Sequence, residues 1–131
     1  MSRSAKVTLP FGDGAHDFAL LVAQLEELQE KCDAGPEFIH GRIVSGHWKI
    51  ADIRDTLRLG LVGAGMEAIT AAILVDRYAG PGSLAQCKDA ARQVLLAALV
   101  GAPDEDEPSG EPEGEKPDSP VEKSGSDAST Q

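Results

Sequence analysis

The chain has 131 residues, enough for one domain, and its formal net charge of −10 is distributed unevenly. Residues 1–102 carry 12 acidic and 10 basic side chains, whereas residues 103–131 carry 10 acidic and two basic ones. All five aromatic residues precede residue 79, and five of the eight prolines lie from Pro103 onward. A stretch with so little apolar area cannot offset the entropy of ordering. The sequence therefore predicts one folded domain over residues 7–102 and a disordered acidic tail over residues 103–131.

Membrane and secretory signals are not found in the sequence. No apolar run approaches the roughly 20 residues that span a bilayer, and the first ten residues lack the apolar core of a secretory signal. The two cysteines, Cys32 and Cys87, occupy apolar positions of predicted helices, which favours buried free thiols over a disulfide. We therefore expect a cytoplasmic protein with no membrane segment.

A β-hairpin is predicted at the start of the domain. Residues 7–20 read VTLPFGDGAHDFAL, two segments of strand-like alternation around Gly12, Asp13 and Gly14. An Asp-Gly pair between such segments is typical of a hairpin turn. Because Pro10 has no backbone N–H, the first strand should be an exposed edge. A lone hairpin is only marginally stable, so this one must pack on the helices that follow.

Two amphipathic helices are predicted after the hairpin. The first starts near Leu21 and should end with Gly35 as its C-terminal cap, and Pro36 suits the first turn of the second. The second should end at Gly46. Gly41 inside it weakens the helix by about 1 kcal/mol relative to alanine, so we expect a close packing contact there. The apolar residues that recur at helical spacing in these two segments are Leu21, Leu25, Leu28, Cys32, Phe38, Ile39 and Ile43.

The stretch from His47 to Gly65 is predicted to organise the rest of the domain. It begins with a short extended segment that holds the only tryptophan, Trp48. The helix that follows has apolar residues on both sides, as a central buried helix does, and glycines that can end it. Its apolar residues recur every fourth position on one side at Ile53, Leu57 and Leu61, and lie on the other side at Leu59 and Val62.

Two more helices complete the predicted domain, whose fold class is mainly α (α+β). An alanine-rich helix covers Met66–Ala79, with Ile69, Ile73 and Leu74 as its larger residues. Ser83 with Gln86 three residues on predicts a capping box for the last helix. The expected architecture is an N-terminal hairpin packed on a compact bundle of about five short helices. The core-facing residues of the last helix are Leu84, Cys87, Ala91, Val94, Leu95 and Ala98.

The sequence shows no pattern of a reactive or ligand-binding site. Gly60, Gly63 and Gly65 are spaced GxxGxG at the end of a helix, which favours helix termination over a nucleotide-binding loop. The three histidines lack the i, i+4 spacing of paired metal ligands, and neither cysteine has a second cysteine within four residues. No nucleophile elbow or catalytic constellation is present. We expect a protein that is not an enzyme and needs no cofactor or metal.

Nucleic acid is a disfavoured partner. The domain is slightly acidic, and its own tail would compete with phosphate for basic side chains. Ion pairs with acidic neighbours are the preferred interpretation, and the nearby carboxylates Asp52 and Asp55 are expected on solvated helix faces. The basic cluster in question lies near the central helix and consists of Arg42, Lys49, Arg54 and Arg58.

Four segments resemble the small proteins of gene transfer agents and related tailed prophages. These proteins are labelled tail tube proteins and are also grouped with phage tail assembly chaperones. The resemblance covers about residues 7–103 and brings no active site with it. It departs from the family pattern at Leu21, Val22 and Ala23, where a Ser or Thr helix cap would be expected. The segments are FGDGAHDFAL, LEELQEKCDAGP, IADIRDTLRLGLVGAGM after the tryptophan, and AALVGAP.

The resemblance implies a non-catalytic role in tail formation, with two alternatives. Tail tube subunits resemble one another in being β-sandwiches that close into rings, which requires many strands. Tail assembly chaperones are helix-rich and coat the apolar tape measure protein until tube subunits polymerise around it. One hairpin and five helices favour a chaperone that binds the tape measure protein. The alternative is a structural tail tube component of the particle, which would make the protein particle-associated.

Partner-binding residues are predicted from surplus apolar and basic positions. An apolar helix face can cover an apolar stripe on a partner such as the tape measure protein or the tail tube subunit. Core packing is the preferred interpretation for Leu59 and Val62. The sequence leaves the oligomeric state and any longer frameshifted product open. The candidates are Leu59, Val62, Leu96 and Val100 for apolar contact and Arg54 and Arg58 for the acidic tail.

Cutting the chain after Ala102 should leave the melting temperature nearly unchanged, because the removed residues add charge repulsion but no predicted core. The shortened protein should aggregate more at low salt. Thermal unfolding and light scattering measure the two effects. A loss of several degrees would instead mean that the tail docks on the domain, with Arg54 and Arg58 as the expected contacts.

Overall fold

A computed structural model describes residues 4–102, and the predicted acidic tail lies outside these described residues. The hairpin and the helices appear in the expected order, which confirms the α+β fold class. The described elements are β1 (Val7–Phe11), β2 (Gly14–Phe18), α1 (Val22–Cys32), α2 (Pro36–Ser45), α3 (Ile50–Gly63), α4 (Ala68–Tyr78) and α5 (Lys88–Val100), the last preceded by a 3₁₀ turn at Ala85–Cys87.

The hairpin is antiparallel; β2 packs on α3 and β1 on α5, and the turn end meets the end of α4. Phe11 pairs with Gly14, so the two turn residues are Gly12 and Asp13 and the turn lies one position before the expected Asp-Gly pair. Gly12 has a positive φ of 64°, which suits the first turn position of a two-residue hairpin. A side chain at Gly12 would also collide with the ring of Tyr78. The hairpin thus depends on the helices, as predicted.

Aromatic side chains form the contact between the hairpin and α4. The ring of Phe11 meets the ring of Tyr78 edge-on, with centroids 6.2 Å apart, and meets Phe18 in the same way at 6.0 Å. Such edge-to-face pairs are favourable arrangements of the aromatic quadrupoles. Both Phe11 and Phe18 are buried, so the inner face of the hairpin continues the helical core.

Helix α3 is the central helix, as its sequence predicts. It packs against β2 and all four other helices. Ile53, Leu57 and Leu61 are buried on one side, and Leu59 is buried on the other. Gly65, just past its end, has a φ of 114° and stops the chain from continuing as a helix.

Gly60 and Gly63 serve packing rather than helix termination alone. The segment between β2 and α1 crosses α3 so closely that the Ala19 N–H donates a 2.9 Å hydrogen bond to the Gly60 carbonyl. A Cβ at Gly63 would overlap the Ala19 carbonyl oxygen, and one at Gly60 would lie 3.1 Å from Val94. The chain crossing at Gly63 leaves no room for a side chain, whereas a Cβ at Gly60 would require its neighbours to shift by a few tenths of an ångström.

Helix α1 starts at Val22, with Leu21 as its N-cap, as expected, but it ends differently from the prediction. Its first N–H groups lack a Ser or Thr cap, but the Leu21 N–H donates to the Gln24 side-chain oxygen at 3.2 Å. At its end the left-handed residue is Asp33, with a φ of 54°, and not Gly35. Aspartate tolerates this conformation because its short polar side chain can bond locally. Gly35 instead precedes Pro36 as the N-cap of α2.

The predicted capping box before the last helix is wrong. The Ser83 hydroxyl donates backwards, to the Tyr78 carbonyl at 2.9 Å, and the Gln86 N–H donates to the Ser83 backbone carbonyl at 3.2 Å instead of to the Ser83 side chain. A 3₁₀ turn at Ala85–Cys87 takes the place of the first helical turn, and α5 itself starts at Lys88. Short 3₁₀ turns are frequent at helix starts because they use backbone groups that would otherwise lack partners.

The helical glycines Gly63 and Gly41 have different surroundings, so substitution by alanine should change the stability of the domain in opposite directions at the two positions. Gly63→Ala should destabilise the domain by about 3 kcal/mol, since the added methyl meets backbone that cannot rotate away. Gly41→Ala should stabilise it by about 0.5–1 kcal/mol, because a Cβ at Gly41 meets nothing within 4 Å. Urea unfolding measures both. Equal effects of the two changes would contradict the close crossing at Ala19.

Candidate partner-binding surface

A buried ion pair joins α2 to α3 beneath the surface groove that is described below. The carboxylate of Asp52 is fully buried, so the expectation of a solvated face is wrong for this residue. Arg42 donates to both its oxygens, from Nε to Oδ2 at 2.9 Å and from Nη2 to Oδ1 at 2.7 Å. The Lys49 N–H donates to Oδ2 at 2.8 Å, which makes Asp52 also a cap of α3. Burial is possible because every charge in the pair is matched.

The same arginine reaches α1. Its Nη2 donates to the Cys32 carbonyl at 3.1 Å, so one guanidinium joins three helices. Burial, with the Asp52 carboxylate adding to it, raises the pKa of the Cys32 thiol to about 12, and burial also raises the pKa of Cys87. Both cysteines are free and buried, as predicted. Neither thiol has the depressed pKa of a nucleophile.

A shallow, mainly apolar groove lies on the outer face of α2, and we call it the α2 groove. Phe38 forms one wall and is 65% exposed, although it was expected in the core. Arg42 lies 5.3 Å from the Phe38 ring centroid and holds the ring by a cation–π contact. Gly41 is the floor and is open above, so the close contact expected there is absent. The lining residues are Glu37, Phe38, Gly41, Arg42, Ser45 and His47.

A second apolar surface, the α4 patch, consists of Ile69 and Ile73. They are 68% and 54% exposed and lie one helical turn apart. The buried face of α4 is formed by Ala71 and Val75 instead. The small side chain of Ala71 lets α4 approach the core closely, which leaves the larger isoleucines on the outside.

A third surface, the α5 patch, consists of Leu96, Leu99 and Val100. Their spacing of three and four places them on one face of α5, and all three are exposed, Val100 by 59%. The first half of this face is polar, with Arg92 and Gln93 both donating to Asp89 at 2.7 Å. The apolar part is therefore confined to the end of the helix, next to residue 103.

The other predicted contact residues are already engaged within the domain. Leu59 is buried in the core, and Val62 is half-buried against it, in agreement with the core interpretation preferred for both. Arg54 pairs with Asp76 and donates to the Ala79 carbonyl at 2.7 Å. Arg58 pairs with Asp55 at 3.0 Å and lies 3.6 Å from Glu27. These arginines join helices within the domain, and their contact with the tail stays a prediction.

Sequence reasoning missed Phe38, Ile69, Ile73 and Leu99 as surface residues. Helical spacing alone does not say which apolar face of a helix is buried. On α4 residue size is a usable signal, because close helix packing buries the face with the smaller residues Ala71 and Val75 and leaves the isoleucines outside. On α2 the buried residues are themselves isoleucines, so residue size gives no such signal there.

The described residues contain neither a membrane-spanning helix nor a cluster of metal ligands. None of their helices is long and apolar enough to cross a membrane. Within residues 4–102 there is no group of three or more His, Cys, Asp or Glu side chains that could hold a metal ion.

A family model described as phage tail tube protein, GTA-gp10, matches residues 4–101, about three quarters of the chain. The chain belongs to this phage tail family. The match confirms the resemblance stated above and covers the hairpin and all five helices. Comparisons with curated proteins and with solved structures gave no match.

Removing the buried arginine tests the ion pair in this phage tail protein. Arg42→Met should destabilise the domain by about 3–5 kcal/mol, because it leaves the Asp52 carboxylate buried without a cation. Arg92→Met is the matched control: its pair with Asp89 is exposed and should be worth about 1 kcal/mol or less. Urea unfolding compares the two. A loss for Arg42→Met no larger than the control would contradict a structural role for the pair.

Proposed function

We propose that the protein is a non-catalytic structural component of a phage-type tail, incorporated in or on the tail tube of a gene transfer agent or prophage particle. The observation that carries this is the family match, which spans all the described elements and names a tail tube protein. It agrees better with the alternative weighed from the sequence than with the chaperone interpretation preferred there.

The exposed apolar surfaces support a role in assembly. The α2 groove, the α4 patch and the α5 patch lie on three different helices, and each exposes large apolar side chains. Exposed apolar area of this kind commonly marks protein contacts. A subunit in a tail must contact more than one neighbour, and separate surfaces on separate helices suit that requirement.

A chaperone for the tape measure protein is the second candidate, because the strand content favours it. Within residues 4–102 the only sheet has two strands. A ring closed by strand pairing would need more strands than this domain provides. A chaperone must also release its partner, so its contacts would be many and individually weak, displaced when tube subunits bind the tape measure more extensively.

Mass spectrometry of purified particles separates the two candidates. A structural component should be present in a copy number comparable to other tail subunits, and deleting its gene should abolish tails while leaving heads intact. A chaperone gives the same deletion phenotype but is absent, or far below stoichiometric, in finished particles. Normal tails after deletion would contradict both.

Variants on the patches test which surfaces matter. Ile73→Glu and Val100→Glu should each reduce incorporation, since a charge opposes burial of an apolar contact. Gln29→Glu adds a charge at another exposed helical position and is the control. All three should keep their melting temperatures, as exposed substitutions usually change stability by about 0.5 kcal/mol or less.

A further inference from the structure

The α2 groove is a gap in one face of α2 where a second helix can approach closely. Phe38, Gly41, Arg42 and Ser45 are spaced i, i+3, i+4 and i+7 and so lie along one face of the helix. Gly41 leaves the gap open, since nothing lies within 4 Å of where its Cβ would be. The walls are held in place from below, because Arg42 is clamped by Asp52. The shape therefore suits a second helix.

The polar ends of the groove identify which helix fits. Glu37 supplies a carboxylate at one end, and His47 supplies an imidazole at the other, with exposed Lys49 two residues further on. The His47 Nδ1 is 3.1 Å from the Ser45 hydroxyl, so Nε2 is the ring nitrogen that this contact leaves available. An antiparallel copy of α2 matches this pattern, because it places an acidic end against a basic end twice.

We propose that the α2 groove receives α2 of a second copy of this chain, antiparallel, about a two-fold axis near Gly41. Each Glu37 then lies beside the partner's His47, and the two Gly41 residues face each other where the helices cross, allowing close approach. The contact is isologous, with the same surface used by both copies. It does not depend on the proposed function, since it concerns the free protein.

Other occupants fit this groove less well. The acidic tail has one branched aliphatic residue, Val121, for an apolar groove, and Glu37 would repel it. The one guanidinium in the walls is already neutralised by Asp52, so it offers the tail no free cation. A parallel copy of α2 would place Glu37 against Glu37.

The expected dimer is weak. Helix α2 has 10 residues, so the pair forms an interface at the small end of the range, below about 1,200 Å², where association is transient. In sedimentation equilibrium the full chain should shift from its 13.7 kDa monomer toward twice that mass as the concentration rises. Gly41→Glu should abolish the shift, because the introduced carboxylates face each other at the axis. Gly41→Ala is the control for a changed helix propensity and should still dimerise.

A charge exchange tests the antiparallel register. Glu37→Lys alone and His47→Glu alone should each weaken the dimer about tenfold, and the double variant should restore it. Full strength in Gly41→Glu, or no rescue in the double variant, would overturn the proposal. A wild-type protein that stays monomeric to about 1 mM would also overturn the proposal. The same holds if the Phe38 NMR signals shift only when a peptide of residues 103–131 is added, since that result assigns the groove to the tail. Thermal unfolding confirms that every variant is folded.

Discussion

The pair of Arg42 and Asp52 is the interaction on which the arrangement of the first three helices depends. Its carboxylate caps the start of α3 through the Lys49 N–H, and its guanidinium caps the end of α1 through the Cys32 carbonyl. Each of these backbone groups lies at a helix terminus, where intrahelical partners are missing. One ion pair thus satisfies two helix ends and orients α2 between them. A neutral pair of apolar residues could fill the same volume but could not make these bonds.

This arrangement also explains why an aromatic ring stands in solvent. With Ile39 and Ile43 turned toward the core, Phe38 lies on the outer side of α2, beside the largely buried guanidinium of Arg42. The Arg42 guanidinium lies over the Phe38 ring in a cation–π contact, which lowers the cost of exposing the ring. The groove is therefore a by-product of the same side chain that holds the helices together. Any partner that binds in the groove contacts Arg42, whose position is fixed by its buried pair with Asp52.

The spacing of apolar residues predicted most of the fold but could not show which face of a helix is buried. The hairpin, the central helix and the limits of α2 follow from local patterns, because turns and amphipathic stripes are encoded by residues close in sequence. Asp52 was misplaced because its partner lies ten residues earlier on another helix. The roles of Gly60 and Gly63 depend on Ala19, more than forty positions away, so no local pattern shows that contact.

The candidate surfaces differ in the kind of assembly that contact through them can form. A two-fold contact through the α2 groove uses the same surface on both copies and closes after two, so it cannot by itself extend into a tube. An extended or ring-shaped assembly needs two different surfaces that meet head to tail. The α4 patch and the α5 patch are exposed in the single chain and lie on two helices other than α2. A tail role would therefore use these patches for growth, and the groove would pair the protein before it assembles.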